Sequence, residues 1–178
     1  ARDQVSRVWS ETSGGVVALP EVPGRDTARI LAAAAAGDLG ALLIAGVDPD
    51  DLPDPQAARA AIGAAGFVVS LELRRSSVTD LADVVFPVAA VAEKTGAYLD
   101  WEGRVREFGV ALTESGTLPD HRVLDALAEA MGTRLGVPDT ASARYELDRL
   151  GAWDGPYPPP PDVAAAPLRE PGPGEAIL

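Results

Sequence analysis

Cysteine is absent from all 178 residues. That excludes thiolate-held iron–sulfur clusters, zinc sites of the cysteine type, disulfides and a cysteine nucleophile within this chain. Histidine is almost missing as well: His121 stands alone, between Asp120 and Arg122 near a predicted helix start, where an exposed side chain is the ordinary outcome. Cations are scarce, 15 Lys and Arg against 27 Asp and Glu, giving a net charge of −12. Nucleic acid and anionic membrane surfaces need clustered Lys and Arg, so neither suits this chain as a partner. No apolar run approaches the roughly 20 residues of a membrane span. The longest candidate, residues 30–36, stops at Gly37-Asp38, and no direct membrane insertion is expected. Aromatic residues make up only 5% of the chain although 47% is hydrophobic. The apolar content is therefore Ala, Val and Leu, which suits helices laid on a parallel sheet better than a β-sandwich.

The usual catalytic signatures are missing too: there is no G-x-S-x-G, no P-loop and no G-x-G-x-x-G. Gly63-Ala64-Ala65-Gly66 ends a predicted helix and leads into a strand, the reverse of the dinucleotide-binding order. No nucleophile and base pair off, so no catalytic, cofactor-binding or metal-binding residue is assigned.

The segments present follow a strand–helix rhythm. Val5, Val8 and Trp9 recur at helical spacing before Ser13-Gly14-Gly15, predicting an opening helix. Residues 16–19 are a short strand candidate, stopped by Pro20. Asp26 is placed to cap an alanine-rich helix over residues 27–36. Residues 41–45, an unbroken apolar run between Gly40 and Gly46, read as a strand buried on both faces. Asp54 followed by Pro55 is an N-cap with Pro in the first turn, predicting a helix over residues 56–64. Residues 67–71 and 84–86 are further strands, with a single turn at residues 79–82 between them. Residues 105–112 can fold back on residues 97–101. Pro119-Asp120 starts a helix carrying Val123, Leu124, Leu127, Ala128 and Met131 on one face, and residues 139–150 form a weaker helix candidate.

The expectation is one α/β domain over residues 1–150. It has a parallel Rossmann-like sheet with helices on both faces and an irregular hairpin insertion. Residues 151–178 are expected to be a Pro/Gly-rich linker or tail that cannot build a core.

Two polar stretches invite a functional reading. Asp48, Asp50, Asp51 and Asp54 form an acidic loop at the carboxyl end of a predicted strand, where open α/β sheets usually bind ligands. Its spacing fails as a calcium loop: position six is Pro53 where Gly is needed, and position twelve is Arg59 where Glu is needed. Helix capping and solvated charge are its default. Residues 93–104 combine Glu93, Lys94, Gly96, Glu102, Gly103 and Arg104 in one short segment. Each glycine lies beside an oppositely charged pair, as a tight turn with pinned side chains requires. A hairpin with ordinary surface charge is the plain reading. Acid–base chemistry lacks a histidine partner, so these six residues are expected to form a structural loop.

The ordered motifs Gly40-Ala41-Leu42-Leu43-Ile44-Ala45-Gly46-Val47-Asp48-Pro49, Phe67-Val68-Val69, Leu81-Ala82-Asp83-Val84-Val85-Phe86-Pro87, Glu93-Lys94-Thr95-Gly96, Glu102-Gly103-Arg104 and Pro119-Asp120 resemble the molybdopterin oxidoreductase superfamily. The likeness covers residues 25–132. Trp101 directly before Glu102-Gly103-Arg104 is most similar to the G subunits of bacterial NADH:quinone oxidoreductases, respiratory complex I. That resemblance implies a piece of a larger subunit, as does a start without Met inside a helical pattern. The parent's amino-terminal part would hold iron–sulfur clusters, and this portion would keep the fold without a molybdenum cofactor. Its partners would be other subunits of the peripheral arm, on the cytoplasmic side of the bacterial inner membrane.

Relatives often carry Asn where this chain has Asp48 and Asp100, and a carboxylate facing a pterin phosphate would repel it. Two alternatives stay open. One is a cofactor-binding piece of a molybdopterin enzyme such as a formate dehydrogenase or nitrate reductase. The other is an independent acidic interaction domain.

Overall fold

The computed structural model describes residues 2–13, 19–113, 116–153, 155, 156 and 159, without the side chains of residues 12 and 13. In chain order the elements are α1 (Arg2–Ser13), α2 (Thr27–Ala35), β1 (Leu42–Ala45), α3 (Pro55–Ala64), β2 (Val68–Glu72), β3 (Val84–Pro87), β4 (Gly96–Leu99), β5 (Val105–Phe108), α4 (Asp120–Ala130) and α5 (Thr140–Leu150). The strand expected at residues 16–19 lies, apart from Leu19, outside the described residues, as does most of the expected tail.

The three apolar runs form one parallel sheet in the order β1–β2–β3. Leu42 pairs with Val68, and Val69 with Val84. Because strand residues alternate faces, Val68 and Leu71 of β2 point opposite ways. On one side Ile62 of α3 packs with Val68 and Val78, and Ala34 of α2 meets Leu42 and Ala61. On the other, Val123 of α4 packs on Leu71 and Val88. Helices therefore lie on both faces of the parallel sheet, as the aromatic-poor composition predicts, but β1, expected to be buried on both faces, is its edge strand and leaves Leu43 51% exposed.

Local chemistry explains the helix starts. Asp26 accepts the Arg29 N–H at 2.8 Å, Asp54 the Ala57 N–H at 2.9 Å and Asp139 the Ser142 N–H at 2.7 Å, each satisfying a first-turn donor. Pro55 then occupies the first position of α3, where no N–H is needed.

Three details differ from expectation. Helix α4 stops at Ala130, where the Thr133 N–H returns to the Ala128 carbonyl at 2.9 Å, leaving Met131 82% exposed instead of on the apolar face. The hairpin is regular over four residue pairs, from Gly96–Phe108 to Leu99–Val105. Only past Phe108 does the strand break away, where the Ala111 and Leu112 N–H groups both reach the Ala92 carbonyl. Leu118 makes a single parallel bridge to Val88, a one-residue stub of strand on the outer side of β3.

Helices α1 and α5, from opposite ends of the described chain, lie together. The Gln4 amide donates to the Leu150 and Ala152 carbonyls, and Glu11 lies 3.7 Å from Arg149.

Candidate functional site

The carboxyl ends of the strands and the β4–β5 hairpin carry the polar motifs of the sequence. After β1, Asp48 turns its Oδ1 back to accept the Asp50 N–H at 3.0 Å, capping a single 3-10 turn over Pro49–Asp51. Asp50 pairs with Arg59 of α3 at 2.6 Å, and Asp54 is occupied as the cap of α3. The acidic loop is thus a set of local caps with one ion pair. Among the described residues no three His, Cys, Asp or Glu side chains gather as metal ligands would.

A cleft of about 460 Å³ opens at the carboxyl ends of β2 and β3, lined by Glu72, Arg74, Arg75, Thr79, Asp80 and Pro87 among others. The turn that brings Thr79 to the cleft is closed by a reciprocal pair: the Ser76 N–H donates to Thr79 Oγ1 at 2.8 Å, and the Thr79 N–H to Ser76 Oγ at 3.3 Å. The doublet Arg74-Arg75 belongs to no motif, and its one signal in sequence is its place just after a buried strand. Glu72 and Asp80 balance the two guanidinium charges, so the cleft carries no net cationic field.

Residues 93–104 separate into a base and a tip. At the base, the Glu93 carboxylate accepts the Ala90 N–H at 2.9 Å and the Thr117 hydroxyl at 3.4 Å. Lys94 does not pair with its sequence neighbour: its Nζ lies 2.6 Å from Asp120 at the start of α4. Thr95 reaches Thr140 of α5 at 2.9 Å. Gly96 faces the ring of Phe108, whose Cζ would sit 2.5 Å from any Cβ placed there. Only glycine lets that ring lie over the strand and stack on Tyr98, with ring centroids 5.1 Å apart.

At the tip, Asp100 organises the turn. Its Oδ1 accepts the Glu102 N–H at 3.0 Å and the Arg104 N–H at 2.8 Å. Gly103 takes φ +81°, a left-handed conformation that suits glycine. Glu102 and Arg104 pair with each other at 2.6 Å, both largely in solvent. The six residues expected to form one structural loop are therefore not one cluster. Asp100, which in sequence stands out only as a departure from relatives, is the side chain that holds the tip.

The molybdopterin oxidoreductase family model matches residues 9–130. The chain belongs to the molybdopterin oxidoreductase family.

Within that family, the chain is 54% identical over its full length to the G subunit of the NADH-quinone oxidoreductase of Streptomyces coelicolor, covering 21% of that protein. It is 52% identical, again over its full length, to the protein of the same name from Mycobacterium tuberculosis, covering 22% of it. A nitrate reductase of Symbiobacterium thermophilum is 31% identical over 74% of the chain, which covers 17% of that protein. The chain spans about a fifth of the length of the two G subunits it matches.

A molybdopterin carries an anionic phosphate, and the residues after β1 do not suit one. Asp48, Asp50, Asp51 and Asp54 crowd that strand end, and the Asp48 and Asp54 carboxylates already hold their own backbone. Without cysteine, the chain offers no thiolate to iron. No helix among the described residues is long and apolar enough to cross a membrane.

Proposed function

We propose that this chain is a structural region of the G subunit of a proton-pumping NADH:quinone oxidoreductase. Residues 1–150 form its α/β domain, and residues 151–178 a linker or tail. In the parent, iron–sulfur clusters outside this region pass electrons from NADH toward quinone. This region carries no redox group. It braces the cluster-bearing part within the peripheral arm, on the cytoplasmic side of the inner membrane, and contacts other subunits of the complex there. Glu93, Lys94 and Gly96 fix the hairpin to the domain, while Glu102, Gly103 and Arg104 shape its tip.

The observation that carries this reading is identity above half along the whole chain to two proteins named as G subunits of that enzyme. The four carboxylates crowded after β1, at Asp48, Asp50, Asp51 and Asp54, would repel a pterin phosphate there and favour a region without the cofactor. Full-length coverage inside much longer relatives weighs against an independent acidic domain.

The test has two parts. The tagged parent polypeptide is expected to co-purify with NADH:quinone reductase activity and with iron. The purified 178-residue chain is expected to hold neither molybdenum nor iron in stoichiometric amount by elemental analysis. Stoichiometric molybdenum in the short chain would favour a second reading, for which the nitrate reductase likeness speaks: a cofactor-holding piece of a working molybdopterin enzyme.

A further inference from the structure

The face that the β4–β5 ribbon turns toward α5 is apolar and uncovered among the described residues. Strand residues alternate sides, so Ala97, Leu99 and Val105 share one face, with Leu99 paired to Val105 and Ala97 to Glu107. That face looks at α5, because Glu107 pairs with Arg144 there. Tyr98 and Arg106 lie on the opposite face, where Tyr98 stacks on Phe108. Leu99, Val105 and Leu147 of α5 are 70%, 54% and 65% exposed. Between ribbon and helix runs an open groove of about 380 Å³, lined by Ala97, Leu99, Val105, Ala143 and Leu147 among others. A two-stranded ribbon needs a further packed layer to be stable in water, and this groove is where that layer is missing.

The path of the chain names an occupant. Helix α5, one wall of the groove, ends at Leu150, three residues past Leu147. Gly151 then takes φ +66° while its N–H turns back to the Asp148 carbonyl at 3.1 Å, so the helix stops and the backbone changes direction. Pro156 and Pro159 are exposed, so a stretch that covers the groove lies beyond them. There Val163-Ala164-Ala165-Ala166-Pro167-Leu168 is the longest uncharged run, between Asp162 and Arg169. Leu168 follows Leu150 by 18 residues. A flexible chain of that length spans about 20 Å, and prolines extend it, whereas Thr140 to Leu147 of α5 measures about 10 Å. The run therefore reaches the groove, and its tether holds it there at a local concentration on the order of millimolar.

The run also matches the seat. Ala97 and Ala143 are small, leaving room between Leu99, Val105 and Leu147 for the larger side chains of Val163 and Leu168. The three alanines let the backbone come close, and Pro167 has no N–H to give a strand edge, so the contact is made through side chains. A second copy of the chain would instead bring another −12 charges to an acidic body, which disfavours self-association.

We infer that residues 163–168 fold back along α5 and seat Val163 and Leu168 in the groove between Leu99 and Val105 of the ribbon and Leu147 of the helix. The Pro-rich segment is then a strap that fixes the ribbon to α5, adding to the Thr95–Thr140 and Glu107–Arg144 contacts. The strap belongs to this chain whatever enzyme the parent serves, so its failure leaves the proposed function standing, and failure of that function leaves the strap.

The absence of cysteine allows a direct test on the 178-residue chain. Leu168→Cys is combined with Leu147→Cys in one variant and with Tyr145→Cys in another, and internal disulfide formation under glutathione disulfide is followed by gel mobility. Tyr145 is as exposed as Leu147, 68% against 65%, but points about 200° away around α5. The pair through Leu147 is expected to close at least about tenfold faster. Equal rates would leave the groove to a partner outside the chain and overturn the inference, as would bridges that form mainly between two copies. A chain ending after Pro156 gives a second reading without introduced cysteine. Hydroxyl-radical labelling of Leu99 and Val105 is expected to rise at least about threefold in it, while labelling of Leu118, on the outer side of β3, stays the same. Unchanged labelling of Leu99 and Val105 would also overturn the inference.

Discussion

Asp83 and Val68 clamp the amino-terminal ends of β2 and β3. The Asp83 N–H donates to the Val68 carbonyl at 2.9 Å, and Asp83 Oδ2 accepts the Val68 N–H at 2.7 Å. Val68 is 1% exposed, so water does not replace a lost partner. Asp83→Ala is expected to cost about 1–3 kcal/mol, the penalty of a buried N–H left without an acceptor. Asp83→Asn, which keeps an oxygen there, should recover most of it. Urea unfolding of the three proteins measures this, and an Ala variant as stable as the parent sequence would show that the clamp carries no weight.

The Lys94–Asp120 pair ties the base of the hairpin to the first turn of α4, with side chains 22% and 40% exposed. Partial burial limits screening, and Asp120 also sits where the helix dipole favours an anion. A double-mutant cycle with Lys94→Met and Asp120→Asn should give a coupling of about 1 kcal/mol, against a few tenths for the exposed Arg29–Asp26 pair.

Gly96→Ala places a methyl group into the Phe108 ring, which to swing away has to give up its stack on Tyr98. The expected loss is about 1–3 kcal/mol, in the range of overpacking. Phe108→Leu in the same chain should relieve part of it. If Gly96→Ala melts with the unsubstituted chain, the ring is free to move.

At the tip, Asp100→Ala removes the acceptor of two N–H groups and should cost about 1 kcal/mol. Arg104→Ala breaks only a solvent-exposed pair and should change stability by less than about 0.5 kcal/mol. Thermal melts of the two variants rank them. The opposite order would place the tip's architecture in the Arg104 side chain.

Asp139 has its carboxyl held below the ordinary carboxylate range, chiefly by the Ser142 backbone N–H, then by the Ser142 hydroxyl, with the Ala141 N–H and nearby His121 adding to it. A depressed folded-state value means that the cap stabilises α5 in full above the unfolded carboxyl's pKa of about 3.9, and that this is lost as pH falls through the lower folded value. The Ser142 amide resonance should therefore titrate in acid below the usual Asp range. The titration should vanish in Asp139→Asn.

How much of the fold is readable in sequence follows from the range of each interaction. The parallel strands are legible as unbroken apolar runs, as Leu42-Leu43-Ile44-Ala45 is, but the run does not tell an inner strand from an edge one: β1 lies at the sheet edge with Leu43 51% exposed. The helix starts are legible because a cap acts across three residues, as Asp26 and Asp54 do. In sequence Lys94 looks like the partner of Glu93, because adjacency is visible there and a contact 26 residues away is not. Asp100 draws notice for its charge, when its geometry matters more: an oxygen at that position serves the turn whether borne by Asp or Asn. The cleft with Arg74 and Arg75 exists only once β2 and β3 lie side by side.

The contact between α1 and α5 bears on how such a region sits in a longer chain. Gln4 touches the backbone at Leu150 and Ala152, so the first and last helices of the described residues meet at one place. A module tethered at a single point can tilt as a unit against whatever flanks it. It can also be lost or gained during evolution without moving the two ends it joins.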